Sequence, residues 1–284
     1  MMENALEING LYKHYDGFAL QDVSFMLPRG VVMGFIGENG AGKTTTIKAV
    51  LNLIRRDAGA IKVLGLDNIA EERAVKERIG VVLEDGCFLN TLTARHVDVL
   101  MGKAYQSWQS EQFFRFMERF GIDRNKKIKD YSKGMRMKVS IAAALSHGAE
   151  LLIMDEPTSG LDPVVRDEVL DLFYDFMQED SHAILLSSHI TSDLDKIADH
   201  ITFIHQGRVL LSEPRDELLD TFGVLRCTAE QLSALEPSAM RAKRIGAFGC
   251  EALVRRDSVP ANWPVEAANI EQIMLFLTRG EEQR

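Results

Sequence analysis

The chain has 284 residues, of which 46% are hydrophobic and 26% are charged, a composition typical of a soluble globular protein. This composition excludes disordered, collagen-like and coiled-coil chains, and the length allows one large or two modest domains. The formal net charge of −9 disfavours a nucleic-acid partner that is held mainly by phosphate contacts.

Three widely spaced cysteines, Cys87, Cys227 and Cys250, indicate neither a disulfide framework nor a zinc site, because none belongs to a CxxC pair. We therefore expect isolated reduced thiols in a cytosolic protein. The first residues are polar and acidic rather than basic and then apolar, so they do not form a signal pattern. No apolar run approaches the roughly 20 residues that a membrane span needs. A membrane role would depend on another chain.

The predicted elements begin with alternating apolar residues at 6–8 and 23–27, which are typical of half-buried strands. A continuous apolar run at 31–36 predicts a buried strand, and apolar spacing predicts a helix from Lys43 to about Ile54. The pattern then becomes helical from about 91 to 148, where a phenylalanine-rich face is expected to be core.

Buried strands return at 151–154 and 183–186, and residues 201–211 predict a hairpin around Gln206 and Gly207. The fold class is therefore α/β, with a mainly parallel sheet, crossover helices and a helical insertion. The succession of strand and helix patterns ends at about residue 222. After that point, a strand at 222–228 and a helix at about 267–278 are expected. We predict two domains, 1–221 and 222–284. The second would serve dimer contacts or regulation, or be a non-functional extension.

Residues 37–44 satisfy the pattern GxxxxGK[ST] between the predicted buried strand and the helix that follows. Glycines let successive backbone N–H groups point inward as an anion nest, and the helix N-terminus adds its positive dipole end. Lys43 supplies a full charge to the β- and γ-phosphates, and the Thr44 hydroxyl is a hard oxygen suited to Mg²⁺. The motif predicts nucleotide binding.

A second apolar strand delivers two adjacent carboxylates, Asp155 and Glu156, to the carboxyl end of the sheet, where the glycine-rich loop also lies. Asp155 can hold Mg²⁺ through water, and Glu156 can take a proton from an attacking water. The alternative is an acidic turn at a strand end with no chemical role.

Over roughly residues 5–220 the sequence resembles the ATP-binding cassette family, the nucleotide-binding subunits of ABC transporters. The order and spacing of six features carry the resemblance: Tyr15 at the adenine-stacking position, 37–45 as Walker A, 131–135 at the signature, 151–156 as Walker B, 157–162 as the D-loop, and His189 as the switch histidine.

The resemblance implies a P-loop NTPase fold with an N-terminal antiparallel β subdomain and a helical subdomain at about 91–148. It implies ATP hydrolysis with Mg²⁺ by two cassettes packed head to tail, as a homodimer or a heterodimer. The nucleotide-binding residues that it implies are Tyr15, Gly37, Asn39, Gly40, Ala41, Gly42, Lys43, Thr44, Thr45, Ser132, Gly134 and Asp162.

The metal ligands implied are Thr44, Asp155 and Glu84, and the catalytic pair is Glu156 with His189. Glu84 replaces the usual glutamine of the Q-loop and adds a negative charge near ATP. In the signature, Tyr131, Lys133 and Met135 replace the leucine, second glycine and glutamine of the usual pattern, whereas Ser132 and Gly134 are kept. We interpret this signature as competent, and a weakened site beside a stronger partner subunit is the alternative.

The signature and the acidic Q-loop are similar to those of the bacitracin-export and ABC-2-like exporter group. The resemblance implies a peripheral subunit on the cytoplasmic face of the membrane that drives a separate transmembrane permease. Residues 84–93, including Cys87, Phe88 and Leu89, would help form the permease groove, or Phe88 and Leu89 would pack locally.

The alternative function is a soluble assembly or regulatory ATPase. A two-cassette translation factor is disfavoured because the chain has one cassette, and a P-loop GTPase because no NKxD-like motif follows.

Overall fold

The computed structural model describes residues 3–84, 88–246, 249–260, 262–279 and 281–282, so the predicted groove residue Cys87 lies outside the described part. The chain divides into two compact units, Met1–Leu211 and Ser212–Arg284. The division falls earlier than the predicted boundary at 221–222, inside a strand. The first unit holds β1 (Asn4–Tyr15), β2 (Phe18–Pro28), β3 (Val32–Ile36), α1 (Lys43–Val50), β4 (Ala58–Val63), β5 (Leu66–Asp67), α2 (Glu72–Arg78), β6 (Ile79–Val82), α3 (Ala94–Ala104), α4 (Ser110–Arg119), α5 (Lys133–Leu145), β7 (Leu151–Asp155), α6 (Pro163–Phe176), β8 (Ala183–Ser188), α7 (Thr191–Ile197), β9 (His200–His205) and β10 (Arg208–Pro214), which crosses the division.

The antiparallel sheet of the first unit has the strand order β2-β1-β4-β5. Its longest pairing, β1 with β2, closes in a tight hairpin at Tyr15 and Phe18. The sheet buries one face in a core shared with α1 and the second sheet, where the rings of Phe25 and Phe35 lie 5.3 Å apart. This is the antiparallel subdomain that the resemblance implied.

The second sheet has the order β10-β9-β3-β8-β7-β6, and β9, β3, β8, β7 and β6 run parallel. Strands β3, β7 and β8 are buried along their whole length, as expected for strands covered on both faces. Their carboxyl ends meet at one edge of the sheet, and this edge carries the start of the glycine-rich loop, the Asp155–Glu156 pair and the segment that leads to His189.

Helix α1 is shorter than predicted, because it ends at Val50 rather than near Ile54. Asn52 adopts a left-handed backbone conformation with φ of 54°, and the amide of Leu53 donates to the carbonyl of Lys48. A left-handed residue just past the last turn is a common helix stop, and Asn tolerates it better than most residues. The helical spacing of apolar residues continues to Ile54, beyond this stop. Periodicity alone therefore predicted a helix that is too long.

The predicted helical insertion contains α3, α4 and α5, which bury a core of their own. Phe113 and Met117 on the phenylalanine-rich face of α4 are fully buried in it, so their assignment to the core is confirmed. Capping by Thr93 and Ser132 starts α3 and α5. In the described part of the chain, no helix combines the length and apolar character that a bilayer crossing requires.

The second unit contains α8 (Arg215–Thr221), β11 (Phe222–Cys227), α9 (Ala229–Ala234), β12 (Met240–Gly246), β13 (Gly249–Arg255), β14 (Val265–Ala267), α10 (Ile270–Arg279) and β15 (Glu281–Glu282). Its strands form a five-stranded antiparallel sheet in the order β14-β11-β13-β12-β15, with helices packed on it. The predicted C-terminal helix begins at Ile270 rather than near 267, because residues 265–267 pair with β11 as a strand and Asn269 and Gln272 form a capping box.

An ion-pair network closes the amino end of β7, at the opposite end of the strand from Asp155. The Glu150 carboxylate accepts from Arg78 Nε at 2.5 Å, from Arg78 Nη2 at 2.9 Å and from Arg29 Nη1 at 3.0 Å. The hydrogen bond from Arg78, assisted by Arg29, lowers the pKa of Glu150 although partial burial opposes the shift. The network ties α2 and the turn after β2 to the central sheet.

Because the folded-state pKa of Glu150 is lowered, its contribution to stability is present above the unfolded-state pKa and is lost as pH falls through the folded-state value. We expect Glu150→Gln to reduce the free energy of unfolding by roughly 1–2 kcal/mol at neutral pH. Urea denaturation should show a constant difference from wild type well above the ordinary glutamate pKa of about 4.3, and a difference that shrinks as pH falls below that value. Glu111→Gln, which removes an exposed helical ion pair to Arg115, should change stability little. A loss for Glu150→Gln that does not depend on pH would contradict this assignment.

Candidate functional site

Two glycines of the loop between β3 and α1 fit where no side chain could. A Cβ atom on Gly37 would lie 2.4 Å from the carbonyl oxygen of Ile204, and one on Gly42 would lie 2.6 Å from Leu20 Cδ2. Gly42 also has φ of 116°, in the left-handed region. The β1–β2 hairpin and the end of β9 therefore pack directly against the loop and fix its path.

The backbone N–H groups of this loop fall into two sets. The amide of Ala41 donates to the carbonyl of Glu38 at 3.0 Å, and the carbonyl of Ala41 accepts from Gly207 in the β9–β10 turn at 2.9 Å, so Ala41 shapes the loop. By contrast, the first amides of α1 have no acceptor within the helix and form an anion-binding end. The residues at this end and at the exposed loop tip are Asn39, Gly40, Lys43, Thr44 and Thr45.

The Lys43 ammonium lies buried at the base of the loop, with 6% of its side chain exposed. Its Nζ donates to the carbonyl of Gly37 at 2.7 Å and lies 3.4 Å from Oε1 of Glu156. Lys43 and Glu156, which were predicted as site residues from separate elements, thus form an ion pair. Glu156 is as buried as Lys43, with 8% of its side chain exposed. A buried cation beside the free amides of a helix start is suited to holding phosphate oxygens.

Thr44 and Asp155 also meet, as the sequence predicted for two metal ligands. The Thr44 hydroxyl donates to Asp155 Oδ2 at 2.8 Å, and the Ser187 hydroxyl donates to Asp155 Oδ1 at 2.6 Å. A hydroxyl and a carboxylate oxygen are hard ligands of the kind that Mg²⁺ takes, and Mg²⁺ usually completes its shell with water and phosphate oxygens rather than with more protein ligands. The pair fits that ion, and the described residues contain no cluster of three or more His, Cys, Asp or Glu side chains that could hold a metal by themselves.

Glu156 has an unusual backbone, with φ of 53°. A non-glycine residue in the left-handed region is uncommon and often marks a functional site. The Glu156 amide donates to Ser187 Oγ at 3.1 Å and to the Ser187 carbonyl at 3.2 Å. Glu156 Oε2 lies 2.6 Å from Nδ1 of His189, and because a carboxylate only accepts, this bond assigns the Nδ1 proton to the histidine. The Lys43, Glu156 and His189 side chains form one continuous polar chain, and His189 is 47% exposed at its outer end.

The signature and the D-loop form a second cluster. Ser132 caps α5 by accepting from the Met135 amide at 3.1 Å, and Asp162 caps α6 by accepting from the Val164 and Val165 amides. A Cβ atom on Gly134 would lie 2.9 Å from Val165 Cγ1. The two helix starts that carry predicted nucleotide contacts therefore lie side by side.

Lys133, which replaces the second glycine of the usual signature, lies over the D-loop. Its Nζ is 2.7 Å from the position that a Cβ atom on Gly160 would take, and Gly160 has φ of 66°. The exposed Lys133 side chain therefore adds a positive charge between the signature and the D-loop.

Tyr15 lies at the tip of the β1–β2 hairpin, exposed, with Lys13 Nζ 5.2 Å from its ring centre. Its strand partner is Phe18, whose ring would contact a Cβ atom on Gly42. The hairpin that carries Tyr15 thus adjoins the phosphate-binding loop, as adenine stacking would require.

Glu84 is not brought to the Thr44–Asp155 pair. It is exposed and lines a cavity of about 330 Å³ beside α5, together with Phe88, Lys133 and Met137. Among the described residues, no hydrogen bond joins Glu84 to Thr44 or Asp155. Two alternatives were predicted for Phe88 and Leu89, local packing or a place in the permease groove. Phe88 packs against the helical core, as the first alternative predicts, whereas Leu89 is 72% exposed.

Ser187 is the site residue that sequence reasoning missed. It is fully buried at the end of β8, and its hydroxyl donates to the Asp155 carboxylate and accepts from the backbone amide of Glu156. The available signal was a pair of hydroxyl residues, Ser187 and Ser188, that closes an otherwise apolar strand. A buried hydroxyl at the carboxyl end of a parallel strand needs a partner, and here the partner is the metal-ligand candidate.

The comparisons with known proteins agree with this geometry. The family model described as ABC transporter matches residues 20–159. The chain is 34% identical over 220 residues to the bacitracin transport ATP-binding protein BcrA of Bacillus licheniformis, covering 76% of this chain and 72% of that protein. It is also 34% identical over 264 residues to the daunorubicin/doxorubicin resistance ATP-binding protein DrrA of Streptomyces peucetius, covering 90% and 78%.

A solved structure described as the ATP binding subunit of an ABC transporter superposes with a TM-score of 0.68 at 28% identity, covering 75% of this chain and 91% of that one. The fold, the motif order and the sequence relatives lead to the same family. The chain belongs to the ATP-binding proteins of ABC transporters, and it is an ATP hydrolase.

Proposed function

We propose that this protein is the ATP-hydrolysing subunit of an exporter, that it works as an ATP-dependent dimer and that it drives separate transmembrane subunits from the cytoplasmic face of the membrane. The observation that carries the hydrolytic part is the buried chain of Lys43, Glu156 and His189 beside the Thr44–Asp155 pair. The names of two relatives, which refer to bacitracin transport and to daunorubicin/doxorubicin resistance, support the direction of export.

In this proposal the triphosphate lies along Gly37–Thr45 with its oxygens on the free amides and on Lys43, and adenine stacks on Tyr15. Thr44 and Asp155 hold Mg²⁺, which would neutralise phosphate charge when bound. Glu156 takes the proton of the attacking water, and His189 orients that water and contacts the γ-phosphate. The 2.6 Å bond to Glu156 fixes the ring of His189 and leaves Nε2 for this contact. Glu84 would reach the metal only through movement of its segment.

The second cluster supports the proposed dimer. Ser132, Gly134 and Asp162 would contact the nucleotide that is bound to the other subunit, so that each site is completed across a head-to-tail interface. Ser132 and Lys133 are exposed, and Val164 beside them exposes 69% of an apolar side chain. Polar groups beside an exposed apolar residue are suited to an interface that closes over a phosphate.

The helical subdomain offers a surface for the permease. Leu89 before α3, together with Val99 and Leu100 on α3, are exposed apolar side chains. Exposed apolar side chains that form a patch often mark a protein interaction site, and these three belong to the segment and the helical subdomain in which the family resemblance places the permease groove. We assign this surface to a helix of the membrane subunit.

Purification of the tagged full chain from detergent-solubilised membranes of cells that naturally produce it tests this proposal. We expect a multi-span membrane protein in constant ratio with the chain. Leu89→Glu with Leu100→Glu should release that protein while ATP hydrolysis continues. Leu53→Glu changes a leucine of similar exposure and should not release it.

The alternative function is a soluble ATPase that acts in assembly or regulation. It predicts that the chain stays in the soluble fraction with full ATPase activity, and that the helical-subdomain variants leave its interactions unchanged. Either result would contradict the exporter proposal while leaving the assignment of the ATP site intact.

A further inference from the structure

Two cysteines of the second unit lie directly opposite each other in its sheet. Cys227, the last residue of β11, is the register partner of Cys250 on the antiparallel strand β13. Residues directly opposite in an antiparallel ladder project to the same face, with Cα atoms about 4.5–5.5 Å apart. Disulfides span Cα separations of about 4.4–6.8 Å. We propose that Cys227 and Cys250 are a site of reversible intramolecular disulfide formation.

The surroundings of the two thiols favour a defined order of reaction. Both belong to the apolar cluster on one face of the sheet, which includes Leu225 and Ala252. Cys250 is 5% exposed, whereas Cys227 is half-buried. A reagent in solution therefore reaches Cys227 first, and Cys250 is placed to attack the product from within the sheet.

The thiols are close enough to influence each other. Burial raises the pKa of the Cys227 thiol, and the neighbouring Cys250 raises it further. Both thiols are free in the structure, and the described residues around them do not form a cluster of metal-ligating side chains. The pair is therefore reduced and slow to react at rest, and it requires an external disulfide as the oxidant.

The reaction is an exchange with a small-molecule disulfide such as oxidised glutathione. The Cys227 thiol loses its proton and attacks one sulfur of the reagent, which releases one glutathione thiolate and leaves a mixed disulfide. Cys250 then loses its proton and attacks Sγ of Cys227, releasing the second glutathione thiolate. Two protein S–H bonds are replaced by one S–S bond, and the two released thiolates take up the two protons, so the protein is oxidised and the reagent reduced.

The bond would add a covalent link between β11 and β13 to the hydrogen bonds and side-chain packing that already join them. The chain between Cys227 and Cys250 contains α9 and β12, so the crosslink closes a loop around both elements. A crosslink of this kind stabilises a fold mainly by restricting its unfolded state. The oxidised protein should therefore unfold at a higher temperature than the reduced protein.

The experiment incubates the full chain in glutathione buffers of increasing oxidised fraction, then alkylates the remaining thiols after denaturation and measures intact mass. We expect wild type to lose two of its three alkylatable thiols without forming a dimer. Peptide mapping should join Cys227 to Cys250. Cys87→Ser should keep the crosslink and leave no free thiol.

Single variants test the order of attack. Cys250→Ser should stop at a glutathione adduct on Cys227, and Cys227→Ser should remain reduced in the folded state. A crosslink that involves Cys87, a pair that stays reduced in wild type at every buffer ratio, or an oxidised form that unfolds at the same or a lower temperature would each overturn the proposal. None of these measurements depends on ATP hydrolysis or on a membrane partner.

Discussion

Lys43→Ala is expected to weaken ATP binding by about 100-fold or more, because the triphosphate loses the buried cation at the base of its loop. Charged hydrogen bonds of this kind contribute about 1.5–3 kcal/mol each, and every 1.4 kcal/mol is a factor of ten in affinity. The change also leaves the buried Glu156 carboxylate without its 3.4 Å partner, which adds unfavourable negative charge next to the phosphates. Titration calorimetry with ATP measures the effect directly.

Lys48→Ala is the matched control. Lys48 is exposed in the last turn of the same helix, so its removal takes the same charge from α1 at a distance from the loop. We expect its affinity for ATP to stay close to that of wild type. Equal affinities for wild type and Lys43→Ala, with both proteins folded by circular dichroism, would place the phosphates elsewhere.

Glu156→Gln is expected to stop turnover while ATP still binds. The amide has the shape of the carboxylate but cannot accept the proton of the attacking water, and general bases contribute typically 10²–10⁴-fold to a rate. We expect a decrease in kcat within about that range and, following from the proposed function, a nucleotide-bound dimer that accumulates on size-exclusion chromatography in ATP.

The same replacement at an exposed carboxylate, Glu179→Gln, should leave turnover unchanged. If Glu156→Gln hydrolyses ATP at the wild-type rate, the base has been misassigned. If it binds ATP and loses turnover without forming a dimer, the hydrolytic assignment stands and the dimer proposal is wrong.

The main features of the ATP site were predictable because they depend on short stretches of sequence. The apolar run before Gly37, the glycine spacing and the helix from Lys43 are adjacent in the chain, and the rule that parallel strands end at one edge brought Asp155 and Glu156 to the same place. The same rule placed Asp155 close to the loop that leads to Thr44, and the structure shows a hydrogen bond between the two side chains.

Features that depend on contacts between distant residues could not be obtained in the same way. The role of Ser187 arises only when β8 lies beside β7, where its hydroxyl and carbonyl both accept from the amide of Glu156. In the second unit, the helix predicted from about residue 267 begins later, because residues 265–267 pair with β11 as a strand. The register that places Cys227 opposite Cys250 likewise has no local signal, since the two residues are separated by two further elements.

The Glu156 carboxylate competes with an incoming phosphate for the Lys43 ammonium. An incoming phosphate has to take Lys43 away from Glu156, so part of its binding energy is used to break that bond. In the proposed mechanism, Oε1 of Glu156 then becomes available to the attacking water, whereas Oε2 keeps its 2.6 Å contact with Nδ1 of His189. If Glu156 is the base, as proposed, ATP binding itself makes that base available. Glu156→Gln, whose neutral amide binds Lys43 more weakly than the carboxylate does, should therefore bind ATP more tightly than the wild-type protein.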